Sequence, residues 1–298
     1  MIFSYSAHCI AGNHSLQNQD SCGVFHSVFQ GKGLLFAVVC DGMGGMQAGE
    51  TASSYILFGL RSWFYELLPC IRQQPLTIEA FQICFDTHLR SLAKGLYERN
   101  QKNRIQAGTT LTAILIWDHF YFIVNIGDSR IYCIGDEMNQ LTQDQSFVAQ
   151  ECARYAMTKE EAKHHPKRNY LLQCLGLSSE PEAVYCTGKV EKNRIFLLCS
   201  DGLVHEIWDA EMGSVLSPYR CSCQEDLEEA VKELINRALA RGEEDNITAI
   251  AIRVDEDKKD DKSKQSFRQQ LKKTNRNNGD TSVFLPIGEI FLPAVWEY

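Results

Sequence analysis

The sequence has little basic character, and it lacks any long apolar segment. Its 298 residues hold 38 acidic and 30 basic side chains, for a formal net charge of −8. The first 250 residues contain no lysine- or arginine-rich block, which predicts that nucleic acid is not a partner. No apolar run approaches the ~20 residues that a membrane span needs, and the N-terminus does not resemble a secretory signal. The length of the chain and its 44% hydrophobic residues favour one large domain, or one domain with a tail.

The Cys-x-x-Cys spacing is missing as well, although the chain has 12 cysteines. No Cys-x-x-Cys pair occurs, which argues against a zinc site. Cys40, Cys133 and Cys199 fall inside apolar runs, where a thiol packs as a small hydrophobic group. We therefore predict reduced thiols and a cytoplasmic location.

In the stretch from Leu34 to Gly45, a predicted buried strand is followed directly by an aspartate. The apolar run from Leu34 to Cys40 predicts the strand, and it ends at Asp41, followed by three glycines within four residues. Glycines allow a tight turn that brings backbone carbonyl groups close to whatever the aspartate binds. Mg²⁺ and Mn²⁺ prefer carboxylate and carbonyl oxygens, although Asp-Gly is also a common turn without any metal.

Further aspartates recur at predicted strand boundaries. Asp128, Asp201 and Asp245 each have glycine or asparagine beside them, and Asp20 adds a fifth. If these strands share a sandwich, the carboxylates crowd negative charge at one rim, which is costly unless cations neutralise it. A site for two Mg²⁺ or Mn²⁺ ions resolves that cost, with Asp41 preferred as the bridging ligand.

The rest of the chain predicts helices around the strands and a tail of different composition. Apolar periodicity predicts helices over 48–68, 77–100 and 224–241. Residues 147–175 are polar and predict two short helices that form a flap. Residues 255–282 are charged and amide-rich, which predicts a disordered linker. Residues 283–298 are apolar again and predict a segment that docks on the parent domain or binds a partner.

Nine short motifs occur in one order within residues 1–254: Asn18-Gln19-Asp20, Asp41-Gly42-Met43-Gly44-Gly45, Gly108-Thr109-Thr110, Gly127-Asp128-Ser129-Arg130-Ile131-Tyr132, Leu141-Thr142, His165-Pro166-Lys167-Arg168-Asn169, Leu175-Gly176, Ser200-Asp201-Gly202-Leu203 and Asp245-Asn246-Ile247-Thr248. Each motif is weak alone, but the ordered set is specific. Together they resemble the metal-dependent serine/threonine protein phosphatases of the 2C type, in their bacterial form.

This resemblance implies an α+β fold, a four-layer α-β-β-α sandwich with two central antiparallel sheets and a small helical flap over 147–175. It also implies hydrolysis of phosphoserine and phosphothreonine on proteins by direct attack of a metal-bridging water, as part of signalling. The catalytic domain would then cover residues 1–254. Two or three Mg²⁺ or Mn²⁺ ions are the implied cofactors.

The resemblance also implies a ligand set. Asp41, Asp201 and Asp245 would be the catalytic ligands of the first metal, and Asp41 with the Gly42 carbonyl would hold the second. Asp128, together with Asp201, matches the position of a more weakly held third metal. Asp20 is a further candidate ligand.

Two positions depart from the family's first-loop pattern. Ser15 stands where an arginine grips the substrate phosphate, and Gln19 stands where a glutamate supports the second metal. We expect a working but weakened enzyme, with a raised KM and a demand for high Mn²⁺. His14 or Arg130 could replace the missing arginine, although for Arg130 pairing with a nearby carboxylate is an equal alternative.

Met43 stands where animal relatives carry a histidine proposed as general acid, so water could protonate the leaving serine.

Two other functions stay open at this point. A catalytically weakened phosphatase-fold protein could act as a binding or regulatory protein through its flap and C-terminal tail. A phosphodiesterase or nucleotide hydrolase could use the same metals, but no P-loop or purine-binding signature occurs. The predicted partners are a phosphorylated protein substrate and a partner for the tail, and the chain is expected to be a monomer.

Overall fold

The computed structural model describes residues 1–13, 17–29, 32–45, 48–71, 77–255 and 287–291. The strands in this described part are β1 (Ile2–Ile10), β2 (Ser21–Phe29), β3 (Lys32–Cys40), β4 (Gly42–Gly44), β5 (Ala107–Thr109), β6 (Leu111–Trp117), β7 (Phe120–Ile126), β8 (Arg130–Ile134), β9 (Met138–Gln140), β10 (Val184–Lys189), β11 (Arg194–Cys199), β12 (Ile247–Asp255) and β13 (Ile287–Phe291). The helices are α1 (Ala48–Ile71), α2 (Ile78–Asn103), α3 (Phe147–Ala153), α4 (Lys159–Lys163), α5 (Asp201–Glu206), α6 (Asp209–Val215) and α7 (Gln224–Ala240).

The strands form two antiparallel sheets and a small ribbon. One sheet has the order β1-β12-β11-β8-β9, and the other has the order β10-β7-β6-β3-β2-β13. Strands β4 and β5 pair with each other as the ribbon. The predicted pair of central antiparallel sheets is confirmed.

Strand β3 has both of its faces buried, which explains why it reads as a continuous apolar run rather than an alternation. Leu35 and Ala37 pack between the two sheets. Phe36 and Val38 point the other way and pack against helices. The strand therefore lies inside a layered core and delivers Asp41 from a rigid position.

Helices cover the outer face of each sheet. Leu60 and Phe64 of α1 and Phe85 of α2 pack on the sheet that contains β3. Helices α5, α6 and α7 pack on the other sheet, for example through Leu203 and Leu234. The four-layer α-β-β-α sandwich is confirmed.

The predicted helices are present, with small differences at their ends. The Thr77 side chain accepts a hydrogen bond from the Ala80 N–H at 3.1 Å, so Thr77 caps α2 as its residue type predicts. The flap region holds the two short helices α3 and α4. None of the helices in the described ranges is long and apolar enough to cross a membrane.

The stretch from Ala107 to Trp117 forms two strands, β5 and β6, rather than one. The strand is interrupted at Thr110, where the Thr110 N–H donates to the Asp41 carbonyl at 2.8 Å. The Thr110 Oγ1 accepts from the Asp41 N–H at 2.9 Å. The strand pairing is interrupted at Thr110 because Thr110 bonds to the backbone of Asp41, at the end of β3.

Only part of the tail lies within the described residues. Ile287–Phe291 forms β13 and pairs antiparallel with β2, with Ile287 opposite His26 and Phe291 opposite Cys22. Residues 256–286 and 292–298 lie outside the described part. The division of the chain into catalytic domain, linker and C-terminal segment stays a prediction.

Candidate metal centre

Strand register brings two of the predicted ligands together at the rim of one sheet. In the β2–β3 pair, Ser21 lies opposite Cys40. Asp20, which directly precedes β2, therefore lies beside Asp41, which directly follows β3. Two carboxylates separated along the chain thus share one end of an antiparallel pair.

The second sheet contributes three further aspartates at the same rim. Asp201 begins α5 just after β11 ends, and the Ser200 N–H donates to the Thr248 carbonyl at 3.1 Å. That bond places Asp201 near the start of β12, where Asp245 lies in the preceding loop. Cys199 pairs with Arg130 in the β8–β11 ladder, which brings the Asp128 loop alongside.

Close backbone contacts fix these loops. A Cβ atom on Gly42 would lie 2.3 Å from the Gln19 carbonyl oxygen and 2.4 Å from that of Gly49. A Cβ on Gly202 would lie 2.2 Å from the Asn246 carbonyl oxygen. Both positions therefore require glycine, because any side chain would push apart segments that carry predicted ligands.

The carboxylates in this cluster strongly affect one another. Burial, followed by the charges of Asp20, Asp201, Asp245 and Asp128, raises the pKa of Asp41 well above its ordinary value. Burial raises the pKa of Asp20 to about 7, against the hydrogen bond from Thr248. Burial and the charge of Asp201 raise the pKa of Asp245 to about 6. Such shifts show negative charge held together without sufficient compensation.

Asp128 belongs to the same cluster. Its side chain is buried, and burial followed by the charge of Asp201 raises its pKa well above the ordinary value. The five predicted aspartates therefore meet at one rim of the sandwich.

The donor set fits a hard divalent cation. Asp20 Oδ1 and Asp201 Oδ1 are buried and have no hydrogen-bond partner among the described residues. One ligand atom each from Asp201, His205 and Asp245 lies within 4.8 Å of the others. Buried carboxylate oxygens without donors are what Mg²⁺ or Mn²⁺ would satisfy.

Two residues in this region, His205 and Glu243, were missed from the sequence. His205 Nε2 lies 3.3 Å from Asp201 Oδ2, and His205 Nδ1 lies 3.4 Å from Glu243 Oε2. The spacing of Asp201 and His205, four apart on one helix, was the available signal. Glu243 carried none, because nothing in the chain marks it as a neighbour of α5.

The two carboxylates favour the charged form of His205. Burial alone would lower its pKa, but the charge of Asp201 and the contacts with Asp201 and Glu243 outweigh burial and raise it to about 10. Burial would raise the pKa of Asp201, and His205 lowers it below its ordinary value.

Arg130 is occupied by a carboxylate. Its Nε lies 3.0 Å from both Asp144 carboxylate oxygens, its Nη2 donates to Asp144 Oδ2 at 2.7 Å, and its Nη1 donates to the Tyr132 hydroxyl at 2.9 Å. This is the pairing that the sequence left as an alternative, and a role in substrate binding stays a prediction. The other two predicted substrate residues, His14 and Ser15, lie outside the described residues.

A cavity of about 530 Å³ lies between the aspartates and the flap. Its walls include Asp128 and Asp201 on one side and Ala149 and Lys163 of the flap helices on the other. The Lys163 Nζ lies 3.5 Å from the ring centre of Trp208, just before α6, so the flap contacts the body of the protein here. The flap therefore borders the space in front of the candidate metal ligands.

Comparison with known proteins gives a consistent family. A family model described as protein phosphatase 2C matches residues 11–250. The serine/threonine phosphatase stp of Listeria innocua is 32% identical over 238 residues, covering 79% of this chain and 89% of the relative. The protein phosphatase PhpP of Streptococcus pneumoniae is 30% identical over 249 residues, covering 83% and 95%.

Solved structures agree with this. The serine/threonine phosphatase Stp1 from Staphylococcus aureus superposes with a TM-score of 0.74 at 27% identity, covering 86% of this chain and 96% of that one. The catalytic domain of the serine/threonine protein phosphatase PstP, solved in complex with two manganese ions, has a TM-score of 0.68 at 27% identity. This match covers 85% of the present chain and 99% of the PstP chain.

Proposed function

The chain belongs to the protein phosphatase 2C family, and on that basis we propose that it hydrolyses phosphoserine and phosphothreonine on proteins with the help of divalent metal ions. The observation that carries the proposal is the meeting of five aspartates at one rim of the sandwich, with buried carboxylate oxygens that lack donors. A cytoplasmic location, a monomeric state and a partner for the C-terminal segment remain predictions.

We assign the ligands as follows. Asp41, Asp201 and Asp245 bind a first Mg²⁺ or Mn²⁺ ion, and Asp41 with the Gly42 carbonyl binds a second. Asp128 with Asp201 is the proposed third position, held more weakly. Asp20 is assigned as a ligand of the same centre, and the hydrogen bond from Thr248 Oγ1 to its Oδ2 at 2.7 Å leaves its Oδ1 available.

When bound, such ions lower the pKa of water and stabilise negative charge on a transferring phosphoryl group. The chain's own residues fix the geometry of that chemistry. Thr110 holds the Asp41 backbone from both sides, and Asn246 Oδ1 accepts the Gln19 N–H at 2.8 Å, tying the first loop to the Asp245 loop. The flap encloses the cavity in which a phosphorylated side chain would meet the aspartates.

The first-loop departures weaken the enzyme without removing its main ligands. Gln19 supplies a neutral amide where a carboxylate would add attraction for the second ion. Its Nε2 donates to the Gly44 carbonyl at 3.2 Å, so the amide also bridges the first loop and the glycine turn. We therefore propose a working phosphatase with a high Mn²⁺ requirement and a raised KM.

Phosphate release from a phosphothreonine peptide tests the proposal. The wild-type protein should release phosphate in Mn²⁺ and stop when the metal is chelated. Asp201→Asn should lower kcat by more than about 100-fold, the upper end of what losing an outer-shell partner costs, because a proposed first-metal ligand loses its negative charge.

Asp86→Asn is the matched control, because Asp86 lies on α2 and bonds the Tyr185 hydroxyl and Arg90 instead of the centre. It should keep wild-type kcat. A wild-type protein that binds the phosphopeptide but releases no phosphate at any Mn²⁺ concentration would contradict the enzyme assignment and leave the phosphatase-fold binding protein.

A further inference from the structure

A histidine lies between two carboxylates, beside the candidate metal ligands. His205 contacts Asp201 through Nε2 at 3.3 Å and Glu243 through Nδ1 at 3.4 Å. Its side chain is only 14% exposed, and that of Glu243 is 5% exposed. Neither residue belongs to the predicted ligand set.

Glu243 continues the chain of contacts to a second ligand. Its Oε1 accepts the Asp245 N–H at 2.8 Å and the Glu244 N–H at 3.0 Å. Its other oxygen, Oε2, is the atom that faces His205. Asp201 and Asp245 come from different elements, and this path of side-chain contacts joins them.

The contact also decides which oxygen of Asp201 is free. His205 lies against Oδ2, while Oδ1 is buried and has no hydrogen-bond partner among the described residues. Because His205 contacts Oδ2, the Asp201 carboxylate cannot rotate freely, and Oδ1 keeps a fixed orientation. Outer-shell partners of this kind orient the groups that bind a metal.

Stability alone is a poor explanation for this arrangement. Burying a carboxylate such as Glu243 is costly, and replacing a buried ion pair by apolar side chains is often neutral or stabilising. A fold that needed only packing between α5 and the Asp245 loop could use apolar residues. The two polar side chains are better explained by what they place.

We propose that His205 is a positioning residue, which with Glu243 fixes the placement of Asp201 relative to Asp245 and so sets the affinity of the first metal site. The proposal rests on the assignment of Asp201 and Asp245 as metal ligands. It adds that the two ligands are coupled through two residues outside the predicted ligand set.

Titration calorimetry with Mn²⁺ on the full-length protein tests this without measuring turnover. His205→Ala and Glu243→Ala should each weaken Mn²⁺ binding by about 10- to 100-fold. Glu243→Gln should lose less affinity than Glu243→Ala but not match wild type, because its amide oxygen can still accept the Asp245 N–H while its amide NH₂ cannot accept from His205 Nδ1. This partial rescue separates the placement of the Asp245 loop from the contact with His205.

The double variant gives the sharper result. If the two residues act as one path, His205→Ala combined with Glu243→Ala should cost no more than either change alone, whereas independent effects add. His88→Ala is the matched control, since His88 stacks on Trp63 and contacts the Gly59 carbonyl, away from the centre. It should lower the melting temperature without changing the Mn²⁺ affinity.

Three outcomes would overturn the proposal. Wild-type affinity in both alanine variants would do so, and so would tighter Mn²⁺ binding in His205→Ala, which would mean that the histidine acts only by offsetting negative charge. Absence of Mn²⁺ binding in the wild type would overturn it together with the proposed function. Glu243→Ala provides the same comparison if His205→Ala does not fold.

Discussion

Gln19 is the residue at which the centre has one negative charge fewer than the family pattern provides. Its Nε2 donates to the Gly44 carbonyl at 3.2 Å. A glutamate there would lose that donor and place a carboxylate against a carbonyl oxygen, an arrangement that a cation nearby would relieve. We therefore expect the side chain at this position to affect the metal requirement.

We predict that Gln19→Glu combined with Ser15→Arg lowers the Mn²⁺ concentration needed for half-maximal phosphate release and lowers KM. The glutamate adds attraction for the second ion, and the arginine adds a bidentate donor for phosphate. The Mn²⁺ and substrate dependence of phosphate release measures both effects.

Gln101→Glu, on the exposed surface at the end of α2, is the control for the added charge and should leave both parameters unchanged. If the double variant shows no gain in activity, the explanation of weakness through the first loop is wrong.

At the scale of elements, the break between β5 and β6 shows how one side chain shapes the centre. Thr110 Oγ1 accepts the Asp41 N–H at 2.9 Å and lies 2.9 Å from Ser129 Oγ. The end of β3 and the loop after β7 are thus joined through one hydroxyl. Its loss would release two segments that carry predicted ligands.

Thr110→Val should lower the free energy of unfolding by about 1–3 kcal/mol, because it leaves the buried Asp41 N–H without its acceptor. It should also lower kcat, since the Asp41 backbone is then held only through its carbonyl group and no longer through its N–H. Chemical denaturation and phosphate release measure the two effects. Thr87→Val, on an exposed turn of α2 where the hydroxyl donates to the Ile83 carbonyl, should stay within about 0.5 kcal/mol of wild type. Equal losses in both variants would contradict the role given to Thr110.

At the scale of the whole molecule, the charged rim should make folding depend on pH when no metal is bound. Burial raises the pKa of Asp20 to about 7, and burial with the charge of Asp201 raises that of Asp245 to about 6. The folded state then binds more protons than the unfolded state below these values, so stability is lost as the pH rises through them. Burial would lower the pKa of His205, but its two carboxylate neighbours raise that pKa to about 10. His205 therefore also lowers stability as the pH rises above the pKa of an unfolded histidine.

We therefore predict that the melting temperature of the chelator-treated protein falls as the pH rises from about 5.5 to about 8. Calorimetry with saturating Mn²⁺ should remove or reverse this fall, because metal binding requires deprotonated carboxylates. A metal-free melting temperature that rises over this range would contradict the charge arrangement described for the centre.

The C-terminal strand sets another property of the whole molecule. Strand β13 pairs with β2, which otherwise ends its sheet. Ending the chain at Asp255 would leave the β2 backbone groups unpaired along that edge, and an unpaired edge is a template for association. We predict that the truncated protein forms dimers or larger species in a concentration-dependent manner, measured by light scattering, while the full-length protein does not. A truncated protein that stays monomeric at every concentration would contradict this.

Patterns local to the chain determined much of the fold. The apolar run ending at Cys40 predicted a buried strand, Thr77 predicted a helix start, and aspartates beside Gly42, Gly202 and Asn246 predicted a carboxylate-rich rim. These features could be found because strand and helix periodicity, capping and turn chemistry depend on neighbouring residues. The sequence order of the motifs supplied the family.

Tertiary structure alone decided which distant groups touch. The path from Asp201 through His205 to Glu243, the pairing of Arg130 with Asp144 and the addition of β13 beside β2 each join segments far apart in the chain. Sheet register and the packing of one sheet on the other create these contacts, and no local pattern encodes them. Composition and spacing therefore predicted that carboxylates gather at one rim, while packing decided which side chains hold them in place.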